Sequence, residues 1–232
     1  MDLNTVIFAL LGGVLPSVLW LWFWLREDKK NPEPSGALLL AFFAGVLSVF
    51  ISIALEKIAK TGIEKLNITH ATTLTILSWA TIEESVKFAL AWGSSLRKKY
   101  NDEPVDALIY MITVALGFAA AENFLFLLDP IAQNQIFESI LTGNMRFLGA
   151  TLLHILASSV IGAILSLSYY KSKAVKRRLL LIALPLAISV HFAFNYSISE
   201  LDVEIMKIFA VVWVALVFLL LLFEKVKRMN KK

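Results

Sequence analysis

Seven apolar stretches of about twenty residues run through this chain, and that length is what a helix needs to cross the hydrocarbon of a bilayer. Short polar connections between them hold most of the charge. Lipid offers no hydrogen-bond partners, so each crossing segment must satisfy its own backbone, which leaves helices or a closed barrel. The apolar/polar alternation of a transmembrane barrel is absent. The expected fold is therefore all-α, a polytopic helical bundle forming one transmembrane domain over residues 1–232. Spans are expected near 5–25, 36–56, 72–95, 105–128, 146–169, 179–199 and 205–223. The first is longer than a signal-peptide core of ~7–15 residues and has no basic residue ahead of it, so it reads as a span. Charged residues make up 17% of the chain, against about a quarter in soluble domains. The net charge of +4 comes from loop lysines and arginines and forms no basic face, so nucleic acid is not an expected partner. The absence of cysteine excludes disulfides, thiolate nucleophiles and cysteine metal sites.

Basic residues orient the bundle. Arg26, Lys29 and Lys30 follow the first span, Arg97, Lys98 and Lys99 the third, and Lys171, Lys173, Lys176, Arg177 and Arg178 the fifth. Lys225, Lys227, Arg228, Lys231 and Lys232 close the chain. These segments alternate with connections poor in basic residues, which puts the N-terminus outside and the C-terminus in the cytoplasm. Lys57, Lys60 and Lys65 run against the pattern. Pro16 and Pro185 fall inside spans, where proline removes a backbone donor and can kink the helix. Pro185 precedes His191 closely enough to re-aim it.

Four spans carry residues that lipid tolerates poorly. The third has Glu83, Glu84 and Lys87, the fourth Glu122 and Asn123, the fifth His154 and Ser158, and the sixth His191 and Asn195. A charged group at mid-bilayer costs about 2.5–3.5 kcal/mol on insertion scales, so several together must pair or serve a purpose. Residues four apart share a helix face. That aligns His154 with Ser158, His191 with Asn195, and Phe118 with Glu122, and it lets Lys87 reach either glutamate. The depths match, so the groups are expected to meet in one cavity opening outward. Taken singly, Glu84 with Lys87 is an ordinary ion pair, and Asn123 and Ser158 are ordinary interhelical hydrogen-bonders. His70 sits at a span edge and has no expected role.

No G-x-S-x-G, H-E-x-x-H or phosphate-loop motif is present. The available parts are carboxylates, imidazoles and an amide. A desolvated carboxylate can act as a general base, and a histidine with an asparagine one turn away can donate to an oxyanion. These parts suit water attack on an amide. The same parts offer a second reading, a metal-dependent membrane hydrolase with Glu122, His154 and His191 as ligands to a divalent ion. A third is a proton-coupled transporter, against which stands the lack of an internal repeat. A fourth is a scaffold in which the cluster only fixes packing.

Glu83-Glu84-Ser85-Val86-Lys87 resembles the EExxK motif of PrsW-type intramembrane proteases. Phe118 to Asn123 resembles their FxxxEN motif, and His154 to Ser158 and His191 to Asn195 resemble their two later histidine motifs. Asp28 with Pro32-Glu33-Pro34 is similar to their first loop. The order is the family's, and the likeness covers nearly the whole chain. The family is related to the CAAX prenyl endopeptidases and the Abi proteins, which implies a helical core and glutamate-dependent hydrolysis with no cofactor expected. The resemblance implies that Glu83 activates water, Glu84 and Lys87 tune it, and His191 and Asn195 stabilise the oxyanion. Glu122 stands where CAAX enzymes have histidine, which leaves its role, like that of His154, unassigned. The implied substrate is a membrane-anchored protein such as an anti-sigma factor, and the implied setting a prokaryotic cell membrane.

Overall fold

The computed structural model of the chain describes residues 2–27, 31–67, 69–201 and 203–229. Asp28, Lys29, Lys30, Lys231 and Lys232 lie outside the described residues. Eight α-helices follow one another: α1 (Leu3–Leu25), α2 (Ser35–Lys65), α3 (Ala71–Ala91), α4 (Asp106–Ala132), α5 (Ile136–Met145), α6 (Thr151–Leu167), α7 (Lys173–Ser199) and α8 (Ile205–Lys227). A π-helical turn extends α3 over Trp92–Leu96, and another joins α5 to α6 over Arg146–Ala150. No strand is present among the described residues.

Six helical segments are long and apolar enough to cross a membrane, with α5, the π-turn and α6 counting as one run from Ile136 to Leu167. The seventh, α3, has 21 residues but falls outside that set because it carries Glu83, Glu84 and Lys87. Helix α2 runs well past the apolar stretch at 36–56. The basic residues that oppose the charge pattern, Lys57 and Lys60, therefore ride on its exposed end, where Lys60 lies 3.9 Å from Glu64. His70 caps α3 in the left-handed region (φ 71°) and is exposed.

Lipid tails are as apolar as leucine, so helices in a bilayer gain little from hiding leucine and associate through close packing at small residues. The buried faces follow that rule. Thr5, Ala9, Gly13 and Ser17 line α1, and Ala37, Ala41, Gly45, Ser48 and Ser52 line α2. On α7 the stripe is Ala183, Ala187 and then His191. The stripes of α1 and α2 face α4, which is buried without a break from Asp106 to Ala120 and also packs against α6, while α7 packs against α6 and α3. The tightest crossing is α2 over α4. A Cβ on Gly45 would land on the Val114 carbonyl, and one on Gly117 on the Phe42 carbonyl. Only glycine permits that approach.

Beyond the crossing, towards the end away from the basic loops, α2 and α4 leave a gap between them. The opposite end is tied shut. Tyr110 on α4 donates to the Glu33 carboxylate just ahead of α2, and Asn31 donates to Glu103. Asp106 accepts the backbone N–H groups of Asp102 and Glu103 at 2.7 and 2.6 Å.

Candidate active site

Helix α3 presents Glu83 and Glu84 side by side, and the two point to different partners. Glu84 is wholly buried. Its Oε1 accepts from Lys87 Nζ at 2.6 Å and from His191 Nδ1 at 2.9 Å, and its Oε2 accepts from Ser158 Oγ at 2.8 Å. Three helices, α3, α6 and α7, are thus pinned to one carboxylate. Lys87, also wholly buried, sits 4.2 Å over the Phe118 ring and 3.6 Å from Glu83 Oε2.

The network fixes the histidine tautomers. A lysine ammonium only donates, so the 3.0 Å contact with Lys87 makes His154 Nδ1 the acceptor. His154 Nε2 then carries the proton and donates to Glu122 Oε2 at 2.9 Å. His191 gives its Nδ1 proton to Glu84, and its Nε2 faces Glu83 Oε2, 3.8 Å away. An oxyanion donor is expected at His191 from the sequence. Both His191 and Asn195, one turn on, line the cavity.

Glu83 differs from its neighbour. Its side chain is buried, yet Oε2 has no hydrogen-bond partner. Lys87 Nζ, His191 Nε2 and His154 Nδ1 surround it at 3.6, 3.8 and 4.0 Å. Buried polar atoms without a partner are costly and uncommon, and Glu83 is one of the residues lining a cavity of about 550 Å³. Glu122, His154, His191 and Asn195 line the same cavity. Lys87, Glu84 and Ser158 stand behind this lining. Asn123 is also behind it, where it donates to Thr151 Oγ1 at 3.1 Å. The expected site residues are therefore brought together, in two layers.

Among the described residues, the groups that offer ligand atoms close enough to share an ion are Glu83, His154 and His191, all within 4.8 Å of one another. That differs from the ligand set expected on sequence grounds, because Glu122 Oε2 is already held by His154 Nε2 and by Arg146. Two imidazoles and a carboxylate suit a zinc-like ion. The orphaned Glu83 oxygen and His191 Nε2 fit that role, while His154 Nδ1 is shared with the Lys87 ammonium.

Arg146, Trp79, Glu56 and Asp129 line the cavity as well, and none of them stands out from the sequence. Arg146, at the start of the π-turn, donates to Glu122 and, at 2.6 Å, to Asn123 Oδ1, and lies 4.0 Å over the Phe126 ring. Its position at the edge of an apolar stretch disguises it as a topology charge. Trp79 lies one turn before Glu83 on the same helix face, and its buried indole N–H has no partner. Glu56 is half-buried on α2, four residues after Ser52, and stands at the end of an apolar stretch.

The sequence model of a family described as PrsW family intramembrane metalloprotease matches residues 33–222. Protease PrsW of Bacillus subtilis is 24% identical over 84% of this chain and 85% of its own length. Protease PrsW of Geobacillus kaustophilus is 32% identical over 58% of the chain and 59% of its own. Protease PrsW of Clostridioides difficile is 25% identical over 79% and 76%. No solved structure matches the chain. The apolar helices and the bacterial relatives make this an integral protein of a prokaryotic membrane. With its four polar motifs gathered on one cavity and a family match across most of its length, the chain belongs to the PrsW family of intramembrane proteases and is a membrane peptidase.

Proposed function

We propose that the chain hydrolyses a peptide bond of a membrane-anchored protein with water activated by Glu83. The observation that carries this reading is that Glu83, a residue lining the cavity, has a buried Oε2 without a hydrogen-bond partner. A water seated between it and His191 Nε2 gives up a proton to the carboxylate as its oxygen attacks the scissile carbonyl. The Asn195 amide supplies a donor to the oxyanion that develops. The proton on Glu83 then passes to the departing amine as the tetrahedral intermediate collapses, which restores the carboxylate. Glu84, Lys87 and Ser158 hold His191 and Glu83 in register. Arg146 and Glu122 do the same for His154. The outward-facing cavity suits cleavage at the extracytoplasmic side of a single-span substrate, for which an anti-sigma factor is the family-based expectation.

Glu83→Gln tests the mechanism. The amide keeps the shape and loses the base, so cleavage of a single-span reporter in proteoliposomes should vanish while helicity and melting stay as in the wild type. Cleavage at the normal rate would sink the mechanism.

The proximity of Glu83, His154 and His191 favours a second reading, in which these three hold a divalent ion. Such an ion would polarise the carbonyl and acidify the attacking water. Metal analysis of the purified protein, with chelation, separates the two readings: activity unchanged in metal-free protein refutes the second.

A further inference from the structure

The gap between α2 and α4 is walled by Val49 and Ile53 on one side and Leu125 and Phe126 on the other, with Glu83 at its base. Glu56 on α2 and Asp129 on α4 sit at its outer rim. The charges along this cavity do not balance. Glu122 is matched by Arg146, and Glu83 faces Lys87 at 3.6 Å. Glu56 and Asp129 have no ion pair or side-chain hydrogen bond among the described residues. Of the basic residues near Glu56, Lys57 is exposed on another face, and Lys60, one turn further on, is exposed and lies 3.9 Å from Glu64. A mouth with apolar walls, an unsatisfied polar atom at its base and two uncompensated carboxylates at its lip is complementary to a particular kind of chain. That chain is an apolar segment that turns cationic where it leaves the membrane.

We infer that this mouth binds the outer end of the substrate's transmembrane segment and selects a lysine or arginine on its extracytoplasmic flank through Glu56 and Asp129. The inference rests on the proteolytic reading above and on the orientation given by the basic loops. Its consequence is selectivity. Most single-span proteins keep lysine and arginine on the cytoplasmic flank, so a requirement for an outer basic residue excludes most of the membrane proteins that drift past.

The test uses three single-span reporters that differ only in one outer-flank residue, Lys, Ala or Glu. The wild type in proteoliposomes should cleave them in that order, with kcat/KM differing by about three- to tenfold at each step, as expected for partly exposed ion pairs in a water-poor mouth. Glu56→Gln with Asp129→Asn should bring the Lys-to-Ala ratio to about one. Glu56→Lys with Asp129→Lys should invert the order. Equal cleavage of all three by the wild type, or a lysine preference that survives neutralisation of both carboxylates, overturns the inference. Binding of the same reporters, fluorescently labelled, to Glu83→Gln protein in nanodiscs reads the preference without turnover. A lysine preference in binding with no cleavage by the wild type would refute the proteolytic reading and leave the rim intact. No preference in binding would refute the rim.

Discussion

Replacing Lys87 by methionine keeps the volume and removes the charge at the centre of the network. At 2.6 Å from Glu84, the gross attraction is about 6 kcal/mol at an effective dielectric of ~20. Burying both ions costs several kcal/mol each, so the pair adds little net stability while intact. Removing one partner is different, because Glu84 is left as a charge inside the bundle with only Ser158 and His191 to answer it. Breaking a buried pair in this way costs about 3–5 kcal/mol. Glu84→Gln should cost less, about 1–3 kcal/mol, since Lys87 keeps Glu83 and His154 within reach. The double variant removes both charges and should lose no more than Lys87→Met alone, which gives a coupling energy at least as large as the Glu84→Gln cost of about 1–3 kcal/mol. Equilibrium unfolding in mixed detergent micelles, followed by circular dichroism, measures all four corners of the cycle. Additive single and double effects would refute the argument, because they would mean that the two side chains do not share one electrostatic fate.

Arg146→Met frees Glu122 and Asn123 from their common donor and should lower kcat about 10- to 100-fold with little change in KM, while Arg146→Lys restores part of the loss; an effect confined to KM would place Arg146 in substrate binding instead. Gly45→Ala pushes a methyl group into the Val114 carbonyl and should destabilise the bundle by about 1–3 kcal/mol in the same unfolding assay, and an unchanged stability would show that the helices can part without cost. On the metal reading, cobalt titration of the purified protein should give visible absorption bands that are lost in Glu83→Gln and His191→Ala and kept in Glu122→Gln; the reverse pattern would restore Glu122 to the ligand set, and no bands at all would refute that reading.

The buried cluster was legible because charge stands out against apolar sequence. Glu83, Glu84, Glu122, His154 and His191 each interrupt a run that would otherwise be hydrocarbon-like, and helix-face spacing is enough to group them. Spacing reveals faces but not neighbours. Glu83 and Glu84 are a hundred degrees apart on α3, and periodicity does not say which of them meets Lys87 and which is left open. The choice between Glu83 and Glu122 as companion to the histidines has the same character, since His154 touches one carboxylate with each ring nitrogen's surroundings. Arg146 and Glu56 went unnoticed because both lie at the ends of apolar runs, where a charge ordinarily means water. The π-turn at Arg146–Ala150 and the overrun of α2 to Lys65 bring them back over the cavity, and neither has a signature in composition.

The glycine contact between α2 and α4 has a mechanical meaning. Gly45 lies close to the midpoint of the distance from the start of α2 to Glu56, so the helix is balanced on it like a beam on a fulcrum. The outer arm from Gly45 to Glu56 is roughly 16 Å long, and a tilt of about 10° would swing its tip some ~3 Å. The inner arm is anchored by the Glu33–Tyr110 contact, which acts as a return spring on that motion. Because α2 packs along α3 as well as α4, any rocking of the beam would be felt by the helix that carries Glu83 and Glu84.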